Sequence, residues 1–128
     1  MAEDKKGLKK FCVQLSSGAG DLGKVKSALM FATLAAHSGC SATLYCVQDG
    51  ADAVVKGKIK EAGNLLPGAP SFEQRLREAQ EAGVRFELCG QVAKNRGLTK
   101  QDLIEGTEII GGIQLISYAL EYDGMLFF

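Results

Sequence analysis

Two hydrophobic rhythms alternate along this chain from end to end. Lys10 to Leu15 (Lys-Phe-Cys-Val-Gln-Leu) is a short apolar run, the mark of a strand buried on both faces. A turn follows at Ser16-Ser17-Gly18-Ala19-Gly20-Asp21, with Asp21 placed to cap a helix. From Leu22 to about Ser38 the period becomes helical. Val25, Leu29, Ala32 and Ala36 form one stripe, and Met30, Phe31 and Leu34 widen it until the helix is largely covered. Gly39 ends it, and His37 in the last turn complements the helix dipole. Ser41 to Val47 reads as the second strand, so the first three elements make a β-α-β unit with parallel pairing.

The second half repeats the alternation. Ala51 to Lys56 predicts one or two helical turns, and Gly57 to Pro70 is a long, weakly patterned loop around Leu65-Leu66. Such a loop serves as a binding loop or lid, or its apolar pair makes an oligomer contact. Ser71-Phe72-Glu73-Gln74 is a capping box opening a helix to about Ala82, with Phe72, Leu76 and Ala79 inward and a Glu73–Arg77 pair outside. Gly83 stops it. In the next strand Val84, Phe86 and Leu88 point one way and Arg85, Glu87 and Cys89 the other. Gln91 to Asn95 predicts a short helix, Thr99 and Asp102 a capped turn, and Thr107 to Ile110 a brief strand. Gly112 to Glu121 is a helix with Ile113, Ile116 and Leu120 on one face, and Met125 to Phe128 an apolar final strand. Ending on two phenylalanines implies a terminus that is buried or covered by another subunit.

This order predicts an α/β fold, an open, mainly parallel sheet of four to five strands with helices on both faces, in the three-layer manner of flavodoxin and Rossmann domains. The 128 residues make one domain, and residues 1–7 form a polar, frayed tail. In such sheets ligands bind beyond the C-terminal strand ends. Three loops should meet there: Ser16–Asp21, Gln48–Gly50 and Cys89–Gln91.

Composition narrows the chemistry. Fifteen basic residues balance fifteen acidic ones, which gives no field for nucleic acid or an anionic membrane. No apolar run reaches the ~20 residues of a membrane span, and no signal peptide opens the chain, so the expected place is the cytoplasm. Four cysteines (12, 40, 46 and 89) in that setting are reduced thiols without a C-x-x-C pair, and a single histidine leaves no zinc site. No metal is expected.

Cys89 is the candidate reactive residue. By parity it shares a face with two charges rather than with the apolar core, and it ends a strand just before Gly90. A thiol at the N-terminus of the helix that follows is favoured as thiolate, and Arg96 close by would add a cation. Gly90 and Gln91 could offer backbone donors. Cys12, Cys40 and Cys46 read as packing residues. His37 lies on the opposite edge of the sheet from Cys89, so a Cys-His dyad is geometrically poor. A thiol without a base suits transfer of sulfur between thiolates, with a partner supplying the second cysteine.

Gly18 to Gly23 also matches G-x-G-x-x-G after a strand, and nearly matches a P-loop, though Val25 stands where that loop needs Ser or Thr. Asp49, 26 positions past Gly23, could take the role of the ribose-binding acid. Against nucleotide stand the short chain and Asp21 within the loop, which would repel phosphate. The alternative function is a non-catalytic nucleotide- or anion-binding module using the Gly-rich loop 16–23, with Ser16, Ser17, Gly18, Asp21 and Asp49 as candidate binding residues.

From Phe11 to Phe128 the chain resembles the DsrE/DsrF-like (TusD-related) sulfur-relay family. The resemblance lies in Ala28-Leu29-Met30-Phe31-Ala32, Leu44 to Val47 before Asp49-Gly50, Gly83-Val84 leading to Cys89, Arg96-Gly97, Gly111-Gly112-Ile113, and Asp123 to Phe128. Its glycine-rich first loop departs from the TusD-like members. The resemblance implies a parallel α/β sandwich, a homo-oligomer (trimer or hexamer), a persulfide carried on Cys89 with no other cofactor, Arg96-Gly97 in the same pocket, and transient sulfur donor and acceptor proteins.

Overall fold

The computed structural model describes residues 7–61 and 65–128. Five strands form one parallel sheet in the order β4-β3-β2-β1-β5, comprising β1 (Lys10–Leu15), β2 (Ser41–Cys46), β3 (Arg85–Cys89), β4 (Glu108–Ile110) and β5 (Gly124–Phe127). The helices are α1 (Leu22–His37), α2 (Phe72–Glu81), α3 (Gly90–Asn95) and α4 (Gly112–Glu121). The tail expected over residues 1–7 lies, Gly7 apart, outside the described residues.

Side-chain parity separates two faces. On the first, Val13, Leu15, Ala42, Leu44, Cys46, Val84, Phe86 and Leu88 join Val25, Ala28, Leu29 and Ala32 of α1, Phe72 and Ala79 of α2 and Ala93 of α3 in one continuous core. The second face carries Cys12, Tyr45 and Tyr118, with Cys89, Ile110, Leu115, Tyr122 and Met125 packed around them. Right-handed crossovers explain the division. The connections from β1 to β4 step along the sheet in one direction and lay their helices on the first face. The return from β4 to β5 crosses back the other way, and α4 falls on the second.

Local signals are met with few exceptions. Asp21 caps α1 by accepting from the Lys24 N–H (3.3 Å), and Ser71 caps α2 by accepting from the Gln74 N–H (3.1 Å). Gly39 and Gly83 follow their helices at φ +93° and +87°, where a side chain would be strained. The helical turn expected at 51–56 is instead a 3-10 segment over Gln48–Ala53. Among the described residues the outer pair on α2 is Arg75–Glu78 (3.3 Å) rather than Glu73–Arg77. Leu34 on α1 stays half exposed, while Phe31 stacks on Phe128 at 5.6 Å.

The long loop is tied down by Glu61. Its carboxylate accepts from the Lys26 ammonium (2.6 Å) and from the Phe72 N–H (2.7 Å) at the start of α2. The Lys26 hydrogen bond, then that of Phe72, holds this acid below the usual carboxylate range. Beside it a groove of about 370 Å³ opens over Ile59, Phe72, Leu76 and Ile104, and Leu65 and Leu66 stand exposed.

Candidate functional site

Of the three loops expected at the C-terminal strand ends, the first and second are joined, through an acid that the hydrophobic pattern does not mark. Asp52 lies in the 3-10 segment after β2. One oxygen of its carboxylate accepts from the Ala19 N–H (2.9 Å) and the other faces Arg96 Nη1 (3.5 Å). Arg96, just past α3, also donates to Asp49 Oδ1 (2.8 Å). A charged clamp therefore joins the first loop, the second loop and the end of α3.

The clamp accounts for the first glycine of the loop. A Cβ at Gly18 would collide with the Asp49 carbonyl and the Asp52 carboxylate, so close backbone approach demands glycine there. Gly50 is required in the same way, because a Cβ would run into the Leu15 carbonyl. Several N–H groups of the loop and of the helix start are spent within the chain. Ala19 donates to Asp52, Asp21 to the Gly18 carbonyl (2.9 Å) and Lys24 to Asp21. Ser16 donates from both N–H (2.8 Å) and hydroxyl (3.0 Å) to the Phe128 carbonyl, and Ser17 is half-buried. An internal carboxylate, that of Asp52, thus takes the N–H of Ala19 in the middle of the loop.

Cys89 takes no part in the hydrogen bonds and ion pairs of the clamp. It is the last residue of β3 and the N-cap of α3, and its side chain makes no cap hydrogen bond. Gly90 faces Gly111 and Ile109 with room for a small side chain, and the Gln91 side chain donates to Asn95 Oδ1 (2.9 Å). Arg96 has its charge answered by two carboxylates.

The face beneath Cys89 differs from its sequence reading. Parity sets Cys89 on the side of two charges, Arg85 and Glu87, rather than of the core; that side is covered by α4. Glu87 is buried, and the Tyr118 hydroxyl donates to its two oxygens at 2.7 and 3.0 Å. Burial pushes the Glu87 carboxyl up, against the opposing pull of Tyr118 and Arg85. Arg85 donates to Ser41 Oγ (2.9 Å), Thr43 Oγ1 (2.6 Å) and the Tyr122 hydroxyl (3.0 Å). Tyr118 and Tyr122 stack at 4.4 Å. The face is a second, smaller core of aromatic rings and satisfied polar groups.

Sulfur accessibility sorts the cysteines. Cys12 and Cys46 are fully buried, and Cys40 and Cys89 partly exposed. Burial, then the charge of Glu87, pushes the Cys12 thiol up to about 12, and burial raises Cys46 as well. Only Cys89 combines exposure with the C-terminal edge of the sheet, since Cys40 precedes β2. Among the described residues no group of three or more His, Cys, Asp and Glu could hold a metal ion. No helix among them is long and apolar enough to cross a membrane.

A parallel five-stranded α/β domain with a partly exposed thiol at its strand-end rim is the class that fold and site define. The profile of the DsrE/DsrF-like family matches residues 9–128, and the chain belongs to that family. It is 29% identical over 119 residues to the uncharacterised protein MJ0989 of Methanocaldococcus jannaschii, covering 93% of this chain and 99% of that one. It is 29% identical over 102 residues to the uncharacterised protein MK0008 of Methanopyrus kandleri, covering 80% and 79%. Among solved structures, the ychN protein from E. coli superposes with TM-score 0.71 at 20% identity, over 94% of this chain and 100% of that one. MTH1491 from Methanobacterium thermoautotrophicum, a protein of unknown function, gives 0.65 at 14% identity, over 91% and 96%. At these identities the structures establish the fold.

Proposed function

We propose that this protein is a sulfur carrier or sulfurtransferase-like protein that passes persulfide sulfur through Cys89. The observation that carries the reading is positional: of four thiols, Cys89 alone is both partly exposed and at the C-terminal rim of a parallel sheet. In the forward step the Cys89 thiolate attacks the outer sulfur of a donor persulfide. A new S–S bond forms on Cys89, the donor S–S bond breaks, and the donor leaves as a thiolate. An acceptor thiolate then attacks the outer sulfur and regenerates Cys89. No net electron change occurs, and the sulfur itself is the only group carried. Reducing conditions such as those of the cytoplasm keep the thiol available.

Copies of the chain form the assembly, a trimer or hexamer. Ile113, Ile116 and Leu120 on the outer side of α4 are 78%, 55% and 80% exposed, and Phe127 of β5 is 64% exposed. Such an apolar surface is what subunit association removes from water.

Incubation with a low-molecular-weight persulfide, followed by peptide mass mapping, tests the reading. The added mass of one sulfur is expected on the Cys89 peptide and is lost in Cys89→Ser. Addition at Cys40 with Cys89 left clean, or no addition anywhere, would overturn it.

A further inference from the structure

Tyr45 is the one aromatic residue in β2, and its side chain points to the second face. It is fully buried. Its ring meets Tyr118 edge-on at 6.3 Å, and its hydroxyl donates to the Ile110 carbonyl at 2.8 Å. Ile110 is the β4 residue paired with Cys89 in the β3–β4 register. The hydroxyl therefore arrives where the last residues of the two strands lie side by side. Cys89 packs against the same aromatic cluster.

A phenol has one proton to donate, and two acceptors compete for it here. With Cys89 as a neutral thiol, the Ile110 carbonyl holds that proton. A charged sulfur is the stronger acceptor, because hydrogen bonds to an ionised group are roughly twice as strong as neutral ones. We infer that Tyr45 is a positioning residue for Cys89, its buried hydroxyl turning from the Ile110 carbonyl to the sulfur whenever that sulfur is negatively charged. The turn is a rotation about the C–O bond, and Cys89 packs against the cluster to which this ring belongs. Tyr45 keeps its proton throughout, and the proton of Cys89 leaves to solvent. Ile110 is only partly buried, so water can replace the phenol at its carbonyl. Burial pushes the Tyr45 hydroxyl well above the ordinary tyrosine range, and the charge and hydrogen bonding of Cys89 push it further. The residue thus stays a donor at every pH at which sulfur transfer runs.

The inference rests on Cys89 being the sulfur-bearing residue, and the test separates the two. The rate of iodoacetamide alkylation is followed on the Cys89 peptide from about pH 6 to about pH 10 in wild type and Tyr45→Phe. Phenylalanine keeps the ring and removes only the hydroxyl. Alkylation at neutral pH is expected to slow about three- to tenfold, with the full rate recovered at high pH, the mark of a smaller thiolate fraction. Superimposable profiles would overturn the inference. Should Tyr45→Phe fail to fold, 3-fluorotyrosine at position 45, a stronger donor of nearly the same shape, is expected to speed alkylation at neutral pH, and an unchanged rate there is equally fatal. Sulfur uptake by Cys89 with superimposable profiles removes the role of Tyr45 and leaves the carrier reading intact. A slowed variant on a wild type that takes up no sulfur does the opposite.

Discussion

The two faces of the sheet are built for different ends. The first is covered by three helices over aliphatic side chains, with Leu15, Leu29, Leu44 and Leu88 fully buried. The second is covered, among the described residues, by α4 over a Tyr45–Tyr118–Tyr122 cluster, where a carboxylate and a guanidinium sit among hydroxyls. One face gains stability by excluding water from hydrocarbon, a non-directional effect that tolerates no polar atom without a partner. The other fixes directions, because each hydroxyl must find its acceptor. Cys89 ends a strand on the directional face, which is where a reactive sulfur can be oriented. The aliphatic face supplies a rigid sheet against which that orientation is held.

This contrast can be broken or sharpened by substitution. Leu44→Ala on the first face removes a fully buried side chain and should lower stability by about 2–5 kcal/mol in urea unfolding. A loss below about 1 kcal/mol would mean that the aliphatic layer is not the main source of stability. Tyr118→Phe on the second face leaves the ring in place and takes the hydroxyl from Glu87. The expected loss is about 1–3 kcal/mol, that of a buried acceptor left without its donor. If it exceeded the loss from Leu44→Ala, the two faces would not differ in kind.

Glu87→Gln gives the smallest effect, seen only as a slope against pH. The Glu87 carboxyl is pushed up chiefly by burial, so folding favours its protonated form. Its contribution to stability is complete below the ordinary glutamate range and is lost as pH rises through the raised value. Glutamine has no charge to bury. The melting temperature of Glu87→Gln should therefore gain on wild type as pH rises from acid to neutral, and a constant offset would show that Glu87 does not titrate in that interval.

The strand that ends in Cys89 was legible in the sequence, and its surroundings were not. The parity of Val84, Phe86 and Leu88 against Arg85, Glu87 and Cys89 holds in the fold. What covers each side is not contained in that parity. The Ile113, Ile116 and Leu120 stripe on α4 resembles a core-facing stripe, yet it points outward, while Leu115, Tyr118 and Tyr122 turn in. Hydrophobicity ranks isoleucine above tyrosine for burial, but a tyrosine whose hydroxyl meets a buried carboxylate buries its ring with its polar end satisfied. Tyr45 carried a signal of its own, since an aromatic residue with a hydroxyl inside a fully buried strand must have a partner. Asp52 carried less, because an acid near a strand end is usually solvated.

By itself the sequence determined the alternation of strands and helices, the helix caps and stops, and the side of its strand on which Cys89 falls. These are set by neighbours a few residues apart, through backbone period and local hydrogen bonds. Tertiary structure decided that Asp52 would occupy the first loop, that Arg96 would be claimed by two carboxylates, and that Tyr45 would reach the rim beside Cys89. Those contacts join residues separated by 33 to 47 positions in the chain. They exist only because parallel pairing brings the ends of β1, β2 and β3 to one edge, and no local rhythm records which polar groups will meet there.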